Sequence, residues 1–342
     1  MANLNMQPKT SNYNQPNNAK GKSRRLALLL ITLVLLASVA FLNIQSIYDW
    51  IRLYDYSAPA SISDIAGADQ FTAAARRVFY VNHPNIETKD TFSGKCPNGG
   101  RESAVLGCYI PYQRGIYILQ VNDPTLAGIE QVTGAHEMLH AEYDRLDGKT
   151  KNQIDSWLND YYKHGLHDPN IIDQINAYKK SEPNDLVNEM HSLFGTEVRS
   201  LPANLETYYS QYFKNRNVVS SFYAAYENEF TSRIAQINQD DSELQNWKLQ
   251  IDNLETDIHS KQASLLYTQQ QLNAYRNSNN ISAYNNGVPS YNLQVNSYNN
   301  EVQQVHMLVQ QYNQLVSSRN AIALEEQQLV QDISSNTVTI NN

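Results

Sequence analysis

The sequence predicts an α+β protein, mainly helical with a small β-sheet, preceded by one transmembrane helix and followed by an antiparallel helical coiled-coil hairpin. Three observations predict this: an uncharged apolar run at 26–42, short β-branched and aromatic runs among helical patterns between 56 and 215, and a 3,4-spaced apolar stripe beyond 220. The chain has 342 residues, 41% hydrophobic and 18% charged, with a net charge of -8. That is enough for a sizeable core, divided into more than one unit. Two cysteines exclude a disulfide-dense scaffold, and the acidic balance, without a basic stripe beyond residue 25, argues against a nucleic-acid partner.

Residues 1–25 carry Lys9, Lys20, Lys22, Arg24 and Arg25, no acidic residue, and many Asn, Gln and Pro, a composition that predicts a disordered tail. The run LALLLITLVLLASVAFL follows, and no charge appears until Asp49, so residues 26–48 are expected to cross a bilayer. Positive charge before the run and acidic residues after it (Asp49, Asp55, Asp64) place the N-terminus in the cytoplasm and the remainder outside. A cleaved signal peptide is the alternative, because Ser38-Val39-Ala40 offers small residues at a cleavage-like spacing, but the apolar run is longer than a usual signal core. Either way the rest of the chain is exported. Cys96 and Cys108 then meet an oxidising compartment and are expected to form a disulfide.

The first folded region is expected at 56–215. Ile65, Phe71, Ala75 and Val78 suggest a helix over 62–82, and the Gly, Pro and Asn residues of 83–100 suggest a loop. Residues 109–112 and 115–121 read as strands, and Asp123-Pro124 opens a long helix at about 126–146. Further helices are expected at 152–164 and 183–195, and from Pro202 one that carries Tyr208, Tyr209, Tyr212 and Phe213. The coiled-coil hairpin is expected at 220–335. Its first stripe is Trp247, Ile251, Leu254, Ile258, Leu265, Leu272 and Tyr275, and its second runs from Val295 through Tyr298, Val302, Val305, Val309 and Tyr312 to Val316, with 277–290 as the loop between them.

One motif carries chemistry. His136-Glu137-Met138-Leu139-His140 is an HExxH pentapeptide within a helical segment; its four-residue step puts both imidazoles on one face, able to bind one Zn²⁺, with Glu137 beside the first of them and within reach of a metal-bound water. A catalytic zinc takes three protein ligands and leaves a fourth position open. The HExxHxxGxxH pattern does not supply the third, because Tyr143 and Leu146 stand at its glycine and last histidine. Downstream, 185–197 offers Glu189, His191 and Glu197.

Here the sequence resembles the gluzincin metallopeptidases, in which a second helix with an NExxS-like pattern supplies a glutamate ligand; Asn188-Glu189-Met190-His191-Ser192 fits that pattern. The resemblance covers about 130–200 and implies a zincin-like domain with His136, His140 and Glu189 as metal ligands and Glu137 as general base. Glu197, in a Gly-Thr-Glu sequence similar to the ligand segment of Gly-Thr-x-Asp zinc peptidases, and His191 stay open as third ligands. His191 is also a candidate to orient a ligand or stabilise an oxyanion.

The function expected is that of a membrane-anchored, extracytoplasmic zinc metallopeptidase acting on peptides or proteins. The alternative is a non-catalytic membrane scaffold or pseudo-peptidase whose coiled-coil hairpin recruits partners or self-associates.

Overall fold

The computed structural model describes residues 19–96, 105–111 and 115–334, the side chains of 19–23 excepted. Most of the expected tail, the middle of the Cys96–Cys108 segment, Tyr112 and the end of the expected hairpin lie outside the described residues. Two units separate, Met1–Ser57 and Ala58–Asn342.

The first unit contains α1 (Ala19–Leu42) and α2 (Ile44–Leu53). Within α1, Arg24–Leu42 has a mean hydropathy of 2.5 and none of it is buried. A helix this long and apolar can serve as a membrane span or as a signal sequence.

In the second unit, α3 (Ala60–Ala68) and α4 (Ala73–Val81) replace the single helix expected over 62–82. The chain breaks between them because Gln70 adopts φ 53 and Phe71 leaves the helix to form a bridge with Phe213. Thr72 then restarts the helix by accepting a hydrogen bond from the Ala75 N–H. The region expected to be loop, 83–100, contains β1 (Asn85–Glu87) and α5 (Lys89–Lys95). The two other strands are β2 (Gly107–Ile110) and β3 (Gly115–Leu119). The sheet order is β1-β3-β2, with β1 parallel and β2 antiparallel to β3, so β2 is an edge among the described residues. Cys96, just after α5, and Cys108, on β2, are joined in a disulfide.

The helix with the HExxH residues is α6 (Ile129–Tyr143), entered through a short 3₁₀ turn at Pro124–Leu126. It runs through the middle of the core. Ala135, Met138 and Leu139 are fully enclosed, among Phe71, Phe79 and Ile118. Next come α7 (Gly148–His164), α8 (Pro169–Ser181), α9 (Leu186–Thr196) and α10 (Ala203–Tyr209). The sequence reading missed α8, which opens on Asp168 as cap and Pro169 as first residue.

Arg216 fastens the end of α9. It is buried, donates to the carbonyls of Phe194, Val198 and Arg199, and pairs with the Glu206 carboxylate. Arg216→Met leaves those carbonyls unanswered and is expected to lower stability by about 3 kcal/mol, read as a lower urea midpoint.

Two long helices complete the unit, α11 (Arg216–Asn277) and α12 (Ile281–Ile333). Arg319 makes two bonds to Asp241, Lys261 pairs with Glu301, and Thr268 donates to Gln294. Partner numbers fall along α12 as they climb along α11, so the helices run in opposite directions. The expected stripe residues are half-buried or buried along both, except Tyr275 near the tip. The loop expected at 277–290 is only Ser278–Asn280. Asn279 takes φ 60, the Asn280 side chain caps Ala283, and the helix continues through Pro289. Gly287 permits this, since a Cβ there would stand 2.7 Å from Leu272.

Candidate metal centre

Glu130, in the first turn of α6, accepts a hydrogen bond from the Val121 N–H at 3.0 Å, which fixes the helix against the strand before it. Nearly two turns further, His136 and His140 meet edge to face with ring centroids 4.8 Å apart. From α9, Glu189 reaches between them. Its two oxygens stand 3.7 Å from His136 Nε2 and 3.5 Å from His140 Nε2. One donor atom from each of the three residues falls within 4.8 Å of the others, a group able to hold a metal ion. Glu197 and His191, the rival third ligands, are not part of it.

The tautomer of His140 follows from its neighbour. The Asn188 amide points its Nδ2 at the Asp185 carboxylate and its Oδ1 at His140 Nδ1, 3.0 Å away. Nδ1 therefore carries the proton and Nε2 keeps its lone pair for the centre. Asn188 belongs to the NExxS-like pattern, but nothing in the pattern assigns it this task. Asn188→Ala is expected to weaken metal affinity by about 10–100-fold, measured by competition with a chelating dye.

Burial pulls His136 down, but the hydrogen bond it donates to Glu189 and the carboxylates of Glu137, Glu189 and Glu197 outweigh this and hold the imidazole at about 9. Burial pushes Glu189 up, but the two imidazoles outweigh this and hold it below its ordinary value. Glu137 is buried, which raises its carboxyl against the opposing pull of His140 and His136. The Tyr109 N–H on β2 also bonds to it. The same strand approaches so closely that a Cβ on Gly107 would stand 2.8 Å from Glu137 Oε1. Sequence reasoning missed both Gly107 and Tyr109, because their importance lies in packing across the chain.

A cleft of 470 Å³ lies over the centre, walled by edge strand β2 on one side and by Asp185, Asn188 and Glu189 on the other. A second cavity of 280 Å³ adjoins it and shares Gly107, His136 and Glu137. Glu197 lines that second cavity.

The oxyanion role expected for His191 is corrected. The side chain is fully buried, its Nε2 is 2.8 Å from the Tyr208 hydroxyl, and its ring packs on Tyr143 and Tyr209. Burial holds it well below its ordinary value, with the nearby His140, His136 and Lys151 acting the same way, so it sits neutral beneath the site and touches no cleft. Tyr208 and Tyr209 belong to the same buried group.

Glu197 shows an opposite charge balance. Burial pushes its carboxyl up to about 7, against the pull of His136 and the Gln174 amide. A raised folded-state value means that stability is lost as pH rises from about 4.5 to about 7, where the folded chain must ionise a carboxyl that the unfolded chain ionises freely. The melting temperature of Glu197→Gln should therefore climb relative to the native chain between pH 5 and pH 8, and level off above it.

Comparison with protein-family models, with curated proteins and with solved structures finds no match for this chain. Function is therefore argued from the centre itself.

Proposed function

We propose that the chain is a zinc-dependent peptidase of zincin-like architecture, held at a membrane by α1 with its second unit on the extracytoplasmic side. One observation carries this reading: two imidazoles and a carboxylate converge with donor atoms within 4.8 Å, beside a buried glutamate, at the head of a cleft. Three protein donors of types N, N and O suit zinc and leave a position for water, as catalytic zinc sites do. A bound zinc would polarise the scissile carbonyl and acidify its water.

The chain's own residues do the remainder. Glu137 takes the proton from the water, and its burial keeps the carboxyl basic enough to receive it and then pass it to the leaving amine. The Tyr109 N–H holds that carboxylate in place. The edge of β2, which pairs with no further strand among the described residues, borders the cleft and can pair with an extended peptide backbone beyond the Tyr109 N–H. The disulfide between Cys96 and Cys108 agrees with export. The test is elemental analysis of the full chain purified in detergent, alongside hydrolysis of an unfolded protein substrate. One zinc per chain, with activity lost to a chelator and restored by zinc, supports the reading. A chain that binds no zinc refutes it.

A second reading, a membrane scaffold whose coiled-coil hairpin recruits partners, is favoured by the exposed apolar side chains along α11 and α12, such as Leu249, Leu266, Tyr267, Leu293 and Met307. Under it, partner binding survives loss of the metal.

A further inference from the structure

The second cavity has a lining unlike the first. Its walls include Tyr178, Tyr223 and Tyr226, and its ionisable groups other than tyrosines, apart from the shared His136 and Glu137, are the carboxyls of Glu197 and Glu227. Neither of these two is paired with a lysine or arginine among the described residues. Glu197 Oε2 accepts from the Gln174 amide, at 3.1 Å, Tyr223 also bonds to that carboxyl, and Glu227 Oε1 accepts from the Asn170 amide, at 3.2 Å. Burial pushes both carboxyls up, and Asp168 and Glu326 push Glu227 further. Two carboxyl groups thus line an aromatic cavity with no lysine or arginine paired to them among the described residues, and His136, at the wall shared with the metal centre, is the one basic group that faces them.

A second observation is independent of the acids. Tyr226 is only 8% exposed, its ring meets Tyr223 edge-on, and its hydroxyl bonds to no other group among the described residues and is not sealed from solvent. Tyr226 lines the cavity, so a hydroxyl that bonds to nothing else in the described chain is open to a ligand group there. Tyrosine faces with carboxylates behind them suit a cationic head on an apolar stem, the stem lying against the rings and the head against the acids. Because the cavity shares His136 and Glu137 with the cleft, whatever fills it lies next to the metal centre.

We propose that this cavity is a specificity pocket that receives the side chain of a lysine or arginine beside the bond that is cut. The proposal rests on the peptidase reading for the words "bond that is cut", and on the cavity alone for its preference for a cation. A lysine ammonium or arginine guanidinium would take the places left open at Glu197, Glu227 and Tyr226.

The test uses the zinc-loaded full chain in detergent and internally quenched peptides that differ at one position: lysine, arginine, norleucine or glutamate. The native chain is expected to cleave the lysine and arginine peptides with kcat/KM about ten-fold above norleucine, and glutamate below all of them. In Glu197→Gln the lysine-to-norleucine ratio should fall to about three or less, and in Glu197→Lys the order of lysine and glutamate should reverse. A native chain that cuts norleucine as well as lysine overturns the pocket, whatever the variants do. If zinc is bound but no peptide is cut, the peptidase reading fails separately, and the pocket is judged by calorimetry with Nα-acetyl-lysine hydroxamate against its norleucine counterpart. Binding of the lysine probe about ten-fold tighter, reduced in Glu197→Gln, supports the cation pocket, and equal affinities overturn it.

Discussion

Glu137→Gln is expected to hold one zinc per chain and to lower kcat on a protein substrate by about 10²–10⁴-fold. The substitution keeps the shape and leaves an amide that can still accept from the Tyr109 N–H, so the buried position stays filled. What it removes is the capacity to take a proton. Glu137 stands next to the donor group without belonging to it, and metal content should therefore not change. Elemental analysis and steady-state kinetics on the same preparation read the two effects independently. Zinc loss in this variant would make Glu137 a ligand, and unchanged kcat would remove it from the mechanism.

Glu189→Ala is expected to do the reverse, abolishing stoichiometric zinc and with it the added stability that the ion confers. A ligand present at a thousand times its dissociation constant stabilises by about 4 kcal/mol, which corresponds to a loss of about 5–15 °C in melting temperature for a chain of this size. The native chain stripped by a chelator should melt near the variant, and adding zinc should raise only the native chain. Glu197→Ala is the control, because Glu197 lines the neighbouring cavity and lies outside the donor group. If Glu197→Ala lost zinc and Glu189→Ala kept it, the ligand set would have to be redrawn.

The sequence shows some of this directly, for physical reasons that differ by residue. His136, Glu137 and His140 lie on one short helical stretch, where a four-residue step is geometry, so their convergence is local information. Glu189 is fifty positions away and was reachable only through the pattern around it. Asn188 lies inside that pattern, but its role depends on which way its amide points, and that is set by Asp185. Glu197 and Glu189 look alike as text. They part in space because α9 turns one toward α6 and ends at the other, beside Gln174 and Tyr223.

The fold divides similarly. The apolar helix, the heptad stripes and the cysteine pair depend on composition and period, and they were legible. The break at 69–72 was not, because Phe71 is drawn out of the helix by Phe213, more than a hundred residues away. Asn, Gly and Pro between 277 and 290 imitate a loop. Their helical state is imposed by the partner helix, with Gly287 giving Leu272 its space.

One mechanical consequence follows from where α11 is rooted. Tyr223 and Tyr226 form part of the pocket wall, and the same helix continues to Asn277, about 75 Å further at 1.5 Å per residue. If this long arm pivots at its root, a sideways swing of about 8 Å at the tip is a tilt of only about 6°, and it moves atoms 10 Å from the pivot by about 1 Å. Handling of the far end by a partner is thus geared down before it arrives at the tyrosines. The arm can be pulled, docked or bent at its tip while the pocket at its base keeps its shape.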